Sequence, residues 1–162
     1  MPVKFSPETE ARLEQIASRY PVRRAAIMPA LSLAQEEFGY ISDDVVEYIA
    51  GLLGLSPAYV AGVTSFYTMY YRKPMGKYHI QVCTNLSCSL VGAETVLEVI
   101  SKRLGIGLGE TTRDGLFSLS EVECLGSCGT APMMQINDDY WENLTAEGTV
   151  EIIDRLEREA KS

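Results

Sequence analysis

The sequence of 162 residues is 46% hydrophobic, which is enough to bury one substantial core or two small ones. Its 22 acidic against 14 basic residues give a formal net charge of -8, and this charge argues against binding to nucleic acid or to an anionic membrane surface. No apolar run approaches the ~20 residues of a membrane-spanning helix, and residues 1–8 show neither a signal core nor a transit pattern, so we expect no direct membrane insertion and a reducing, cytoplasmic compartment.

Four consecutive helices are predicted over the first seventy or so residues. Capping residues separate them, and their apolar residues recur three and four positions apart, which indicates one buried face on each. Their limits are Ser6 with Pro7 at the start of the first helix, Ile27 to Gly39 for the second, Ser42 to Gly54 for the third, and Ser56 with Pro57 at the start of the fourth. Residues 64–71 fit either a strand or a helix end. Four aromatic residues there form either a core or a partner surface: Phe66, Tyr67, Tyr70 and Tyr71.

The second half of the sequence alternates between strand and helix patterns. Strands are predicted over residues 78–82, 117–122 and 133–136, with a helix after Cys88, a glycine-rich turn over residues 105–115 and a closing helix around residues 150–156. This order indicates a small α/β domain with a mixed sheet, thioredoxin-like in outline. We therefore predict an α+β chain, with a helical bundle over residues 1–73 and an α/β domain over residues 74–162, joined by a linker near residues 72–76.

Four cysteines form two pairs, Cys83 with Cys88 and Cys124 with Cys128. Four residues separate the first two cysteines and three separate the last two, with thirty-five between the pairs. Each pair follows a predicted strand, so both cysteine loops should lie at the carboxyl ends of neighbouring strands, where α/β sheets commonly bind ligands. A [2Fe-2S] cluster needs four thiolates, two for each iron, and two facing cysteine loops match that need.

Three other interpretations of the four cysteines stay open from spacing alone. Structural zinc also takes four thiolates, although zinc sites usually have two residues between paired cysteines. A dithiol redox enzyme would use a Cys-x-x-Cys sequence, which is absent. Two disulfides would require an oxidising compartment. The spacing favours the cluster over zinc without excluding zinc.

A bound cluster adds negative charge to a partly buried site, and several groups near the cysteines could offset it. Backbone N–H groups made accessible by Gly126 and Gly129 are candidates, as is the positive end of the helix predicted after Cys88. Hydroxyl groups could add weak hydrogen bonds to sulfur, and these belong to Thr84, Ser87, Ser89 and Ser127. Each such donor would raise the reduction potential.

Other conspicuous residues are assigned structural roles. His79, the only histidine, is predicted to pack or to face solvent, because four thiolates already complete a cluster. The glycine-rich run at residues 105–109 lacks the dinucleotide-binding spacing, so we expect no NADH binding by this chain. Of Met133 and Met134, one should screen the cluster from water and the other should face the opposite side of the strand. The acidic residues near the end are predicted to form a solvated face: Asp138, Asp139, Glu142 and Glu147.

Two cysteine-containing motifs resemble a known family. The longer motif consists of Asp114–Ser118, five further residues, and then Cys124–Pro132, and the other is the upstream stretch Cys83–Cys88. At every fixed position, the longer motif resembles the signature of the small [2Fe-2S] subunit of the NADH-dehydrogenase module of respiratory complex I. Residues 109–112 and 66–68 also look like that family, and the resemblance covers essentially the whole chain.

The resemblance implies an N-terminal helical bundle, a thioredoxin-like domain and one [2Fe-2S] cluster bound by Cys83, Cys88, Cys124 and Cys128. It further implies a tight complex with a larger subunit, which alone would carry NADH, FMN and a [4Fe-4S] cluster. The hydride chemistry would take place on that partner. This chain would accept one electron from the partner's reduced flavin.

The function implied by the resemblance is that of a subunit of an NADH:quinone oxidoreductase. The enzyme activity would belong to the complex, which would hold this chain at the periphery of the inner membrane. Two alternatives stay open. One is the equivalent subunit of a soluble NAD-linked hydrogenase or formate dehydrogenase, and the other is a free-standing thioredoxin-like ferredoxin.

Overall fold

The computed structural model describes residues 3–161. Contacts divide the chain into two compact units at the bond between Pro74 and Met75. The first unit is helical, and the second combines a sheet with helices. Residues 1 and 2, which belong to the segment used above to argue against a leader, lie outside the described residues, as does residue 162.

Four α-helices and one 3-10 helix lie in the described part of the first unit. They are α1 (Pro7–Ala17), the 3-10 helix (Arg23–Ala26), α2 (Ile27–Phe38), α3 (Asp43–Leu53) and α4 (Pro57–Phe66). Three of them begin after a serine whose side chain accepts a hydrogen bond from the backbone N–H three residues later, namely Ser6, Ser42 and Ser56. Helices α2 and α3 end at Gly39 and Gly54, which adopt the left-handed conformation that favours glycine. The predicted helix limits are confirmed.

The core of the first unit is formed by the apolar faces of these helices, with Leu31 and Ile49 fully buried. The stretch at residues 64–71, which the sequence left open, is the end of α4 followed by a turn. Within it, the Tyr70 side chain is buried and its hydroxyl donates to the Met28 carbonyl at 3.0 Å. Phe66, by contrast, is 77% exposed. The aromatic group is therefore divided between the core of this unit and its surface.

No single helix within residues 3–161 has the length and apolar composition needed to cross a membrane. The consecutive helices α3 and α4 meet those criteria only as a pair, with a bend of 120° between them.

Four strands form a mixed sheet in the described part of the second unit. They are β1 (Tyr78–Cys83), β2 (Phe117–Val122), β3 (Met134–Ile136) and β4 (Asp139–Trp141), in the order β2-β1-β3-β4. Strand β1 pairs parallel with β2 and antiparallel with β3, and β4 pairs antiparallel with β3. Helices α5 (Leu86–Leu90), α6 (Ala93–Leu104) and α7 (Ala146–Lys161) accompany the sheet, with a 3-10 helix at Cys128–Thr130. The predicted fold class is confirmed.

Alternate residues of the strands form the buried face of the sheet. Ile80 lies between its strand partners Leu119 and Ile136, and all three side chains are almost fully buried. Helices α6 and α7 cover this face with the apolar side chains Val96, Ile100, Ile153 and Leu156. Because β1 is central and packed in this way, the position of its last residue, Cys83, is fixed by the core.

Strand β4 is not among the strands predicted from the sequence. It has only three residues, and two of them, Asp139 and Tyr140, are exposed, so it lacks the alternation by which strands are recognised. The turn before it contains Asn137, which has a φ of 54°. The Asn137 side chain accepts a hydrogen bond from the His79 N–H at 2.9 Å and donates one to the Lys77 carbonyl at 3.0 Å. These polar contacts fasten the hairpin to the start of β1.

Candidate metal centre

The four cysteines lie where β1 and β2 end. Cys83 is the last residue of β1, Cys88 lies in α5, Cys124 follows β2 by two residues, and Cys128 is the first residue of the second 3-10 helix. Strands β1 and β2 run parallel, with Cys83 opposite Val122, so both strands deliver their cysteine loops to the same edge of the sheet. This placement is the one expected from the sequence, while the role of the cysteines as ligands stays a prediction.

The thiols of both loops interact with one another. The thiols of Cys88 and Cys124 lie close enough to Cys83 to lower its pKa, and the charges of Cys83 and Cys128 raise the pKa of Cys88. All four are free cysteines, without a disulfide. Within residues 3–161, no three His, Cys, Asp or Glu side chains converge closely enough to enclose a single metal ion.

The two pairs differ in burial. Cys83 and Cys88, the buried pair, are 3% and 2% exposed, whereas Cys124 and Cys128, the exposed pair, lie open to solvent. The buried pair packs in a small apolar cluster with Ala93 and Met133. Met133 therefore belongs to the apolar surroundings of the two buried thiols.

Its neighbour Met134 packs into the main core of the second unit, away from the thiol cluster. The two methionines thus pack into different apolar clusters, as expected, while the screening of a bound cluster from water by Met133 stays a prediction.

The buried thiols have opposite tendencies to ionise. Burial raises the pKa of Cys83. The backbone N–H groups of Asn85 and Leu125 and the thiols of Cys88 and Cys124 lower it by more than burial raises it, so the pKa of Cys83 lies below its ordinary value. Burial raises the pKa of Cys88, and the neighbouring Cys83 raises it again. Cys83 is thus the thiol of this pair that more readily becomes a thiolate, the form that binds metals.

The exposed pair also receives a hydrogen bond from the backbone. The Gly126 N–H donates to Cys124 Sγ at 3.4 Å, in a loop where Gly126 has a φ of +81°, which favours glycine. Three of the hydroxyl groups expected to donate to sulfur bind oxygen instead: Thr84 contacts the Val122 carbonyl, Ser89 the Glu94 carboxylate and Ser127 the Glu142 carboxylate. The prediction is wrong for these three, because oxygen, a better acceptor than sulfur, is within reach of each hydroxyl.

The helix predicted just after Cys88 is displaced along the chain. Cys88 lies within the one-turn helix α5, and the longer helix α6 begins only at Ala93, after Gly92. Ala93 is fully buried and packs in the same apolar cluster as the two buried thiols. The first turn of α6 therefore lies beside the buried pair, where the positive end of the helix dipole favours negative charge.

His79 is a packing residue of the sheet. Its side chain is buried, and Nε2 lies 2.8 Å from the Ser120 hydroxyl oxygen. Burial lowers the pKa of His79 to about 4, so the imidazole is neutral near pH 7.

The glycine-rich run at residues 105–109 forms a turn after α6, as expected, and the Gly109 N–H donates to the Leu119 carbonyl at 2.7 Å.

Two residues that contact the second cysteine loop were not assigned this role from the sequence. The Tyr140 hydroxyl donates to the Leu125 carbonyl at 2.7 Å. Glu142 accepts hydrogen bonds from the hydroxyl groups of Ser127 and Thr130. The carboxylate is exposed, as predicted for a solvated face, but it also binds the loop. No sequence signal marks these contacts, because they depend on the unpredicted strand β4.

Comparison with known proteins decides the family. The family model of the thioredoxin-like [2Fe-2S] ferredoxins matches residues 13–157. The chain belongs to this family. The resemblance drawn from its motifs is therefore confirmed at the level of the family, and the chemistry of the site agrees, since four free thiols with backbone N–H donors suit a [2Fe-2S] cluster.

Curated relatives of this thioredoxin-like [2Fe-2S] ferredoxin carry the name of one enzyme complex. NADH-quinone oxidoreductase subunit 2 of Thermus thermophilus is 51% identical over 144 residues, which cover 87% of this chain and 80% of the relative. A subunit of the NADH-quinone oxidoreductase of Rhizobium meliloti is 49% identical over 134 residues, which cover 83% of this chain and 80% of the relative.

A solved structure shares the fold of this family member over both halves of the sequence. It is a chain of the NAD+-reducing [NiFe]-hydrogenase in the H2-reduced state, matched with a TM-score of 0.72. The match covers 82% of this chain and 22% of that chain, at 20% sequence identity. At this identity the match shows the fold alone.

Proposed function

We propose that this chain is the one-electron carrier subunit of an NADH:quinone oxidoreductase. Cys83, Cys88, Cys124 and Cys128 hold one [2Fe-2S] cluster, which exchanges single electrons when bound. The observation that carries the proposal is the meeting of two cysteine loops at the ends of two parallel strands, with interacting thiols. The identity of 49% and 51% with curated NADH-quinone oxidoreductase subunits supports the choice of complex.

The residues of this chain would prepare the site in two ways. Cys83 and Cys88 present their thiols from buried positions, where Ala93 and Met133 exclude water. The Gly126 N–H lies 3.4 Å from the Cys124 sulfur and stabilises negative charge there. A hydrogen bond to sulfur favours the more negative, reduced state and therefore raises the reduction potential.

The partner in this proposal is a larger subunit that binds NADH, FMN and a [4Fe-4S] cluster. Hydride transfer belongs to that subunit, and its reduced flavin gives one electron to this chain. Helix α5 supports such docking, because Leu86 and Leu90 are 71% and 78% exposed on the helix that carries Cys88. Grouped exposed apolar side chains mark interaction surfaces. Assembly would hold this chain on the cytoplasmic side of the inner membrane without inserting it.

A second function is the equivalent subunit of a soluble NAD-linked hydrogenase or formate dehydrogenase. The fold shared with a chain of the NAD+-reducing [NiFe]-hydrogenase favours this alternative. Affinity purification of the tagged chain from its own cells, followed by mass spectrometry of the copurified subunits, separates the two. Subunits of a quinone-reducing complex support the first function, hydrogenase or formate dehydrogenase subunits support the second, and a chain recovered without a flavoprotein would be a free-standing ferredoxin.

Anaerobic purification of the chain tests the cluster directly. We expect two irons and two sulfides per chain, the absorption of a [2Fe-2S] centre, and a spin-half EPR signal after reduction by one electron. A colourless protein that contains zinc and no iron would contradict the proposal.

We also propose that the two compact units are the domains predicted over residues 1–73 and 74–162. The division of contacts at Pro74 supports this assignment. Limited proteolysis should then cut first near Arg72–Gly76, and early cleavage inside either unit would argue against it.

A further inference from the structure

The exposed pair lies in a loop that depends on one neighbouring segment. This exposed loop comprises residues 124–132, and the neighbouring segment, here called the brace, comprises residues 140–144. The brace makes three contacts with backbone carbonyls of the loop: Tyr140 Oη donates to Leu125 O at 2.7 Å, Asn143 N to Thr130 O at 2.7 Å, and Leu144 N to Pro132 O at 3.0 Å. Each contact fixes the path of the loop, because its backbone lies largely outside the sheet.

The fourth contact of the brace is made by Glu142 with residues on both sides of Cys128. Glu142 Oε1 accepts a hydrogen bond from Ser127 Oγ and another from Thr130 Oγ1, the latter at 2.5 Å. Ser127 immediately precedes Cys128 in the chain, and Thr130 follows it by two residues. The two hydroxyl oxygens also lie 2.7 Å from each other. A single carboxylate oxygen therefore joins both sides of the short helical turn that carries Cys128.

Burial cannot hold Cys128 in place as it holds Cys83 and Cys88. Cys128 is exposed, so its position relative to the buried pair depends on hydrogen bonds within the loop and to the brace. Bonds to an ionised carboxylate are roughly twice as strong as those between neutral groups. The two hydroxyl groups lower the pKa of Glu142, and the carboxylate therefore stays ionised at neutral pH.

We propose that Glu142 is a positioning residue, whose carboxylate holds the turn that carries Cys128 in the geometry needed to bind the cluster. This inference rests on the proposed function. It assigns a role in the site to an exposed acidic residue that the sequence pattern would leave on a solvated face. Glu142 acts through Ser127 and Thr130 and does not touch the cluster.

Three variants of the full chain, purified with its cluster, test this role. Glu142→Ala removes the acceptor for both hydroxyl groups, whereas Glu142→Gln removes the same charge but keeps an oxygen that can accept both hydrogen bonds. Asp138→Asn is the control, since it removes one negative charge from the exposed turn between β3 and β4. The readouts are the rate of iron release to a ferrous chelator and the reduced-state EPR spectrum.

We expect Glu142→Ala to release iron severalfold faster than the wild type and to broaden or shift its EPR signal. Glu142→Gln should lie between Glu142→Ala and the wild type in both readouts, because its amide oxygen keeps both hydrogen bonds in the weaker, neutral form. Asp138→Asn should stay close to the wild type. Equal behaviour of the two Glu142 variants would overturn the inference, as would a Glu142→Ala variant that unfolds more easily but keeps the wild-type EPR spectrum. A wild-type chain that binds no cluster would instead overturn the proposed function, and this inference with it.

Discussion

Cys83 and Cys88 lie against the apolar interior of the second unit, whereas Cys124 and Cys128 lie in a loop open to solvent. The buried pair is fixed by the strand β1, by the cluster around Met133 and by the first turn of α6. The exposed pair is fixed by hydrogen bonds to the brace. Two loops with similar cysteine spacing are therefore supported by different physical means.

This difference predicts which substitutions the buried pair and the exposed pair should each tolerate. Close packing penalises any change of volume or polarity at the buried pair, because the surrounding atoms relax only in part. A solvent-exposed loop tolerates such changes at little cost to folding. Loss of the cluster and loss of folding stability should thus be coupled at one pair and separate at the other.

The largest expected effect is the loss of the cluster when a cysteine of either pair is replaced. Cys88→Ser and Cys128→Ser should both lower the bound iron severely. The free energy of unfolding of the cluster-free chain should differ between the two variants. Cys88→Ser should lower this free energy by about 1–3 kcal/mol, because it buries a hydroxyl among apolar atoms. Cys128→Ser should change it by no more than about 0.5 kcal/mol.

Urea unfolding followed by tryptophan fluorescence measures this difference in the second unit. Trp141 is the only tryptophan of the sequence and lies in β4, so its signal reports on the unit that contains the cysteines. Equal unfolding free energies for the two serine variants would break the distinction between the pairs. A Cys128→Ser chain that keeps its cluster would contradict the ligand assignment.

The packing that holds the buried pair could be predicted from the sequence, whereas the hydrogen bonds between the brace and the exposed loop could not. The cap residue Ser42, the stop at Gly54 and the apolar strand that ends at Cys83 are local signals, and they placed both the helices and the buried pair. The contact between Glu142 and Ser127 spans fifteen positions and depends on a three-residue strand without an apolar pattern. Ser89 was assigned to sulfur because a sequence does not show that the Glu94 carboxylate lies 2.6 Å from its hydroxyl.

A second prediction concerns the apolar support of the buried pair. Met133 is fully buried in the thiol cluster, and Met133→Ala should cost about 2–5 kcal/mol of unfolding free energy through lost contacts and a residual cavity. Leu125→Ala is the matched change in the exposed loop, where the side chain is only partly buried, and it should cost about 1 kcal/mol. The Trp141 signal in urea measures both, and a larger cost for Leu125→Ala would reverse the comparison.

The smallest expected effect near neutral pH is a change in the free energy of unfolding with pH, which should arise at β1 before it arises at the brace. His79 lies on β1, and burial lowers its pKa to about 4, below the 6.5 of an unperturbed histidine. Between these values the unfolded chain binds a proton that the folded chain does not, so the free energy of unfolding falls as the pH is lowered from 6.5 towards 4. The loss is negligible above pH 6.5 and grows to about 2–3 kcal/mol only when the pH reaches the lowered pKa.

Glu142 of the brace responds to acid in a different range. Its pKa lies below the ordinary carboxyl value, so its contribution is present at higher pH and is lost only when the pH falls through that lowered pKa. Mild acid should therefore weaken β1, which carries Cys83 of the buried pair, before it affects the turn that carries Cys128. The measurement is the unfolding free energy of the cluster-free wild type minus that of His79→Gln, followed through Trp141 from pH 7 to pH 4. A flat difference would show that protonation of His79 is not what weakens β1, because the sequence has no other histidine that could titrate there.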